Sequence, residues 1–333
     1  MERPQPMPPA PGDIETVRSR GDGAPVEVVV ILPTYRRPDH LRRTLRSVLA
    51  QTPSPSFAVV VMDNAPDEAA GAKAAVEVLA ADERPFRVIL AHRRGNCAAY
   101  NAGIHTALTT WPDAWAVAVI DDDEIAPPHW LAQLVRVASE TGADCTGAPQ
   151  RPVFEGSAGG QARRHRTMRA PYVDTGPVPI LYSSGNVLIR TALLRRHGHP
   201  WLDERFNFLG GGDSDFYARV KRDGATFAWA SEAAVDETMP ARRAEPSWLD
   251  ARSLRNGSIS ALLQRRAASG WKDHASRLAK SAALLTASPY RAGALFLKHR
   301  SLTIALDPML VALGRVLMEF GFANEQYRAA EAN

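Results

Sequence analysis

Short apolar runs alternate with amphipathic stretches through the first half of the chain. Val26 to Leu32 is rich in Val and Ile and stops at the loop Pro33-Thr34-Tyr35-Arg36-Arg37-Pro38, which predicts a buried strand. Asp39 is a candidate helix cap, and Leu41, Leu45, Val48 and Leu49 then recur at helical spacing. Phe57 to Met62 predicts a second strand ending at Asp63-Asn64, and a helix follows over 69–79. A short strand over Arg87 to Leu90 and a helix over Asn101 to Leu108, entered from Gly95-Asn96, come next. Ala116 to Ile120 closes this half as another buried strand. Strands alternating with helices through short loops build an α/β fold: a mostly parallel, doubly wound sheet with helices on both faces.

The pattern changes near residue 145. Pro- and Gly-rich loops surround a helix predicted to open near Ser184-Gly185-Asn186. Gly210-Gly211-Gly212 leads through Asp213-Ser214-Asp215 into a helix over 216–222, which Asp215 could cap. From about 250 the chain reads as a C-terminal helical appendage over 251–333. Leu302, Leu306, Met309, Leu313, Val316, Leu317 and Phe320 keep helical spacing there, interrupted by Asp307, Arg315 and Glu319. That is an amphipathic helix, not a span. Residues 1–24 are expected to form a disordered tail, with Pro4, Pro6, Pro8, Pro9 and Pro11 near its start.

Composition narrows the function classes. The 333 residues are 45% hydrophobic and 23% charged, which suits a globular protein with a sizeable core. Forty basic against 36 acidic residues leave a net charge of +4, too mild to argue for nucleic acid. Cys97 and Cys145 have neither metal-ligand nor disulfide spacing, so a reducing cytoplasm is the simplest expectation. The start of the chain lacks the apolar segment of a signal peptide. Neither a dinucleotide-binding glycine fingerprint nor a Walker A loop follows the first strand.

The chemistry is concentrated at Asp121-Asp122-Asp123, which ends the strand through Ile120. The carboxyl edge of an open α/β sheet is where ligands bind. Three adjacent carboxylates repel one another unless a cation sits among them. Hard oxygen donors with few others suit Mg²⁺ or Mn²⁺, completed by substrate phosphates. The triplet therefore points to a metal–diphosphate site; a solvated acidic turn is the alternative.

The ordered set Val29-x-Ile31-Leu32-Pro33-Thr34-Tyr35, Asp63-Asn64, Asn101-x-Gly103, Asp121–Asp123 and Gly211-Gly212-Asp213-x-Asp215-Phe216 resembles family 2 glycosyltransferases. The likeness runs over roughly residues 25–260. Glu237, Arg242-Arg243, Trp248-Leu249, Arg252 and Arg255-Asn256-Gly257 look like the subgroup that builds succinoglycan-type bacterial exopolysaccharides. The resemblance implies a GT-A fold over 25–250, with a nucleotide-sugar half at 25–145 and an acceptor half at 146–250. It implies an inverting, metal-dependent enzyme that uses Mn²⁺ or Mg²⁺ and a nucleotide-diphosphate sugar, UDP-linked in the commonest case.

Residue by residue, it puts Pro33, Thr34 and Tyr35 in the nucleoside pocket, with Arg36 beside them, and Asp63 on the base. Asp121 and Asp123 match the DxD pair at the ribose and metal–diphosphate, with Asp122 between them, and Asn101 belongs to the donor motif. Asp213 matches the general base, although Gly212 stands where the family carries Glu, and Asp215 stays open as the rival. Tyr100 stands where many relatives carry Arg, so Arg93 or Arg94 would have to supply that phosphate contact. Gly185 and Asn186 face the donor sugar or acceptor, or form a helix-entry turn. Arg242 and Arg243 close over the diphosphate, or are an exposed charge pair.

The expected acceptor is lipid-linked or polysaccharide, and the expected place is the cytoplasmic face of the inner membrane. The C-terminal helices would contact that membrane peripherally or pack on the domain. The rival to an active enzyme is a non-catalytic glycosyltransferase-like protein that binds nucleotide sugar or scaffolds an assembly. A sugar-nucleotide pyrophosphorylase would need a Gly-rich basic loop after the first strand, which Pro33-Thr34-Tyr35-Arg36 is not.

Overall fold

In the computed structural model, residues 10, 12–156, 160 and 162–321 are described. The alternation read from the sequence becomes β1 (Ile14–Arg20), β2 (Val28–Thr34), α1 (Pro38–Leu49), β3 (Phe57–Asp63), α2 (Ala70–Ala80), β4 (Phe86–Ala91), α3 (Asn96–Thr110) and β5 (Ala116–Val119). Then come β6 (Glu124–Ile125), α4 (Trp130–Thr141), β7 (Cys145–Gly147), β8 (Gln150–Phe154), β9 (Gly176–Val178) and β10 (Val187–Arg190). After them lie α5 (Thr191–His197), α6 (Gly212–Arg222), β11 (Phe227–Trp229), β12 (Val235–Met239), α7 (Pro246–Ala267), α8 (Trp271–His299) and α9 (Leu302–Glu319).

Nine strands form the main sheet, in the order β1-β4-β3-β2-β5-β10-β7-β11-β9. The run β4-β3-β2-β5 is parallel throughout. Beyond it β10 pairs antiparallel with both β5 and β7. The sheet is thus parallel over these four strands and mixed as a whole. β2 and β3 are buried at almost every position, as strands covered on both faces must be. Val28, Val30 and Leu32 of β2 and Val59 and Val61 of β3 meet Leu41, Leu45 and Val48 of α1 and Trp130, Leu131 and Leu134 of α4 in one core.

Two local expectations change. Ile14–Arg20, placed in the tail by sequence, is a strand; only residues 1–9 and 11 of that tail lie outside the described residues. It pairs antiparallel with β4, from Ile14 opposite Ala91 to Arg20 opposite Phe86. Its side chains are largely exposed, so backbone pairing rather than an apolar face makes it a strand. Ser184-Gly185-Asn186 opens β10 rather than a helix. Asn186 has φ of 52°, a left-handed turn conformation that Asn tolerates, and α5 begins only at Thr191.

The chain divides into two compact units. One runs through Arg151 and includes Ala170–Phe208 and Gly212–Glu237; the other comprises Pro152–Arg169, Leu209–Gly211 and the chain from Thr238 onward. The second therefore begins earlier than the expected boundary at 251 and recruits a distant segment. Its apolar centre is Phe154, Ala162, Met168, Met239 and Leu249. Glycines let α7 and α9 approach closely: a Cβ on Gly257 would overlap the Val311 carbonyl, and one on Gly314 the Leu254 carbonyl. Asp307 and Arg315 point inward. Ser253 donates to Asp307 at 2.7 Å, and Arg315 donates to Ser260 and Gln264 at 2.8 Å each.

Candidate active site

The end of β5 and the end of β2 lie side by side, because these strands pair in parallel. That register brings the acidic triplet to the Pro33–Arg37 loop. Thr34 donates its hydroxyl to Asp122 Oδ2 at 2.7 Å, and Thr44 donates to the Asp122 carbonyl at 2.8 Å. Arg37 donates to Asp123 Oδ2 at 2.8 Å and lies 3.5 Å from Asp122 Oδ1. Arg37 was not among the residues singled out from sequence. In Arg36-Arg37 it looks like half of a solvated charge pair, whereas here it is the internal counter-ion of two largely buried carboxylates.

Asp121 is the more open member of the triplet. Tyr100, on α3, donates its hydroxyl to Asp121 Oδ1. The Asp121 backbone N–H donates to Glu124 Oε2 at 2.9 Å, and Gln150 donates to Glu124 Oε1. Glu124 and Gln150 are further members of the cluster that sequence did not single out. Burial, then repulsion from Asp123, pushes Asp121 up to about 6. Burial also pushes Asp122 up, against the pull of Arg37. Asp213 adds to the repulsion on Asp121, which puts the two carboxylates within electrostatic reach.

Gly185 packs against the same cluster. A Cβ there would lie 2.7 Å from Asp121 Oδ2 and 2.6 Å from the Gln150 amide nitrogen, so any side chain would intrude on the carboxylates. Tyr35 is flanked by cations: the Arg36 guanidinium lies 5.2 Å and that of Arg94 5.6 Å from its ring centre. Arg94 also faces Phe208 at 6.0 Å, and Arg36 pairs with Glu68 at 2.7 Å. Tyr35, Arg36 and Arg94 therefore share one rim, whereas Thr34 is buried against Asp122.

α6 begins at Gly212, four residues before its expected start, so Asp213 and Asp215 both lie in its first turn. Their environments differ. Asp213 is half-buried, and its Oδ1 accepts from the Ser214 N–H at 2.7 Å. Asp215 is buried and paired with Arg219 at 2.8 Å; Arg219 in turn donates to the Trp201 carbonyl. Asp215 is not the cap of a helix starting at Phe216 but a member of an ion pair within α6.

Three residues expected at the donor are instead turned inward. Asp63 is fully buried, and its two oxygens accept the N–H groups of Ala65 at 2.9 Å and Ala72 at 2.8 Å. It organises the β3–α2 turn. Asn101 is buried, with its amide donating to the Leu202 carbonyl at 2.8 Å and its oxygen accepting the Leu202 N–H at 2.9 Å. Asn186 accepts from the Trp130 indole at 2.7 Å and donates to the carbonyls of Pro149 and Ala233 at 2.9 Å each. Buried amides and carboxylates need such partners, and these side chains have them. Arg242 and Arg243 belong to the second unit, where Arg243 lies 5.8 Å from the centre of the Trp248 ring.

Residues 29–198 match the family described as Glycosyl transferase family 2. The chain is 34% identical over 250 residues to the succinoglycan biosynthesis protein ExoM of Rhizobium meliloti, covering 71% of this chain and 75% of that protein. This chain belongs to glycosyl transferase family 2. As a family 2 glycosyltransferase it resembles exopolysaccharide enzymes in sequence. Its GT-A fold is shared with solved structures. A mannosyltransferase of Pyrobaculum calidifontis, solved with GDP-Man and Mn²⁺, superposes with a TM-score of 0.57 at 17% identity, over 89% of this chain and 88% of that one. TarS residues 1–349 of S. aureus, solved with UDP, superposes with a TM-score of 0.50 at 15% identity, over 92% and 98%. No helix among the described residues is long and apolar enough to cross a membrane.

Proposed function

We propose that this glycosyltransferase transfers a sugar, with inversion, from a nucleotide-diphosphate donor to a hydroxyl of a lipid-linked or polysaccharide acceptor. The reaction takes place at the cytoplasmic face of the inner membrane, with the protein held there peripherally. The observation that carries the reading is the acidic triplet at the end of β5, with Asp121 held by Tyr100 and Asp123 by Arg37, together with the contrast between half-buried Asp213 and buried Asp215.

A divalent ion suits the donor set. Asp121 and Asp123 offer hard carboxylate oxygens; burial first and repulsion from Asp123 second push Asp121 up, and a cation would relieve the second. No group of three or more His, Cys, Asp or Glu side chains among the described residues could hold a metal alone. A site completed by diphosphate oxygens fits that limit. Asp121 and Asp123 would hold Mn²⁺ or Mg²⁺, which when bound would neutralise charge on the departing diphosphate.

The chain's own groups supply the rest. Tyr35, between Arg36 and Arg94, offers an aromatic face for the nucleobase, and both guanidinium groups add positive charge to that rim. Tyr100 orients Asp121 where the family resemblance leads one to expect Arg before the Asn, and Arg94 would take over phosphate contact. Asp213 accepts the proton of the acceptor hydroxyl as its oxygen attacks the anomeric carbon. The bond to the diphosphate oxygen breaks on the opposite face, and the charge leaves with the nucleotide. One displacement inverts the centre. A donor panel tests this reading: UDP-, GDP- and dTDP-sugars with Mn²⁺ and a polyprenyl-diphosphate sugar acceptor, scored by nucleotide release and by the anomeric configuration of the product. Release from no donor, or a retained configuration, contradicts it.

A further inference from the structure

α9 presents apolar residues outward as well as inward. The positions facing solvent are Leu302, Leu306, Met309, Leu313 and Phe320, an apolar stripe at helical spacing; Leu302 and Phe320 are 68% and 74% exposed. The side packed against the rest of its unit carries Ile304, Ala305, Ala312 and Met318, with Gly314 and the charged Asp307 and Arg315 among them. Glu319 pairs with Arg277 of α8. A soluble helix buries its apolar stripe and exposes its charges. This one has drawn Asp307 and Arg315 into hydrogen bonds, and no described residue covers its outer stripe.

α8 continues the pattern. Trp271, Leu278, Leu285 and Phe296 are exposed, and their spacing puts them on one side of that helix. At the turn joining the two helices, Phe296, Leu297, Lys298, Arg300 and Leu302 are all exposed, so bulky apolar side chains alternate with basic ones. Exposed charges over 271–300 are five basic (Lys272, Lys280, Arg291, Lys298, Arg300) and one acidic (Asp273).

We infer that the outer face of α8 and α9 seats this protein on an anionic lipid bilayer. The stripe on α9 enters the boundary between headgroups and acyl chains, and Lys298 and Arg300 reach up to the lipid phosphates. An apolar helix face lying in the interface plane, with basic residues beside it, is the chemistry that binds such a surface. Contiguous exposed apolar surface of this kind marks an interaction site. The charge selects the occupant, because a second copy of the chain would bring the same basic excess against itself, whereas an anionic leaflet complements it. This deepens the membrane-proximal part of the function proposed above.

The test is co-sedimentation of the full chain with vesicles of 70:30 phosphatidylcholine:phosphatidylglycerol and of phosphatidylcholine alone, without donor or acceptor. Failure to bind lipid is therefore distinct from failure to transfer sugar. Binding to the anionic vesicles is expected, weakening as salt rises. The triple variant Leu306→Ser, Met309→Ser, Leu313→Ser should bind roughly 10-fold or more weakly, since it removes the buried apolar contacts. A second variant, Lys298→Gln with Arg300→Gln, leaves the apolar stripe intact and should lose binding by roughly 10-fold at low salt. Circular dichroism melts check that each variant folds. No binding by the full chain overturns the inference, as does equal binding by the full chain and both variants. So does a dimer in solution that the triple variant turns into a monomer.

Discussion

A Cβ on Gly212 would overlap the sulfur of Cys97, so the buried thiol occupies the space that a side chain at position 212 would need. The family resemblance calls for Glu at this position, immediately before the base. Here α3 supplies Cys97 from the other side, and the glycine is its steric counterpart. Gly212→Ala is expected to destabilise the protein by about 1–3 kcal/mol, the usual cost of overpacking a filled core. In a Cys97→Ala background most of that cost should vanish, so a double-mutant cycle by chemical denaturation reads a coupling of about 1 kcal/mol or more. Additive effects would mean that the two positions do not share this space.

Arg37 forms an ion pair with the triplet, at 2.8 Å from Asp123 and 3.5 Å from Asp122. Removing one partner of a largely buried pair leaves the other uncompensated. Arg37→Gln is therefore expected to cost up to about 3 kcal/mol of stability. A divalent ion held by Asp121 and Asp123 would replace part of the lost charge. Mn²⁺ should then raise the melting temperature of Arg37→Gln more than that of the unmodified protein. Equal shifts would argue against metal binding at these carboxylates.

Metal removal reads the same site through activity. EDTA should abolish transfer, and Mn²⁺ or Mg²⁺ should restore it. Asp123→Asn removes a charge at the cation and should weaken Mn²⁺ binding measured by titration calorimetry. Full transfer in EDTA would remove the metal from the account.

The strands and helices around this site were legible because β2, β3 and β5 are buried Val, Ile and Ala runs, and α1 keeps Leu41, Leu45 and Val48 on one face. β1 was not, because its exposed side chains carry no period and only backbone pairing to β4 defines it. Gly185-Asn186 resembles a helix entry, but the next residues, Val187-Leu188-Ile189, are a central strand with a left-handed turn before it. At the site, a polar residue at the end of an element reads alike whether it points out or in. Asp63, Asn101 and Asn186 point in, and only their backbone partners reveal it. Asp307 and Arg315 misled in the opposite sense, as apparent surface interruptions that are buried and hydrogen-bonded.

The helical unit depends on backbone contact at two glycines. Gly257 lies against the Val311 carbonyl and Gly314 against the Leu254 carbonyl, and neither backbone can yield as a side-chain tip can. Gly314→Ala should force α7 and α9 apart, at a cost of roughly 2–3 kcal/mol, toward the upper end for overpacking. Ser258 donates to the Gly314 carbonyl at 3.0 Å, and that bond should be lost with the contact. A melting temperature unchanged within a degree would show that the close approach is not required.

Asp213 as the base is the central claim, because it turns a shared fold into a specific reaction. Nucleotide release in the presence of donor, acceptor and Mn²⁺, set beside donor affinity, measures it most directly. Asp213→Asn keeps the shape and removes proton acceptance, so turnover should fall by on the order of 10²–10⁴ with donor affinity little changed. Asp215→Asn should act through its lost pairing with Arg219, lowering the melting temperature and leaving most of the turnover of the folded fraction. Turnover that survives in Asp213→Asn and is abolished in a folded Asp215→Asn would contradict the account.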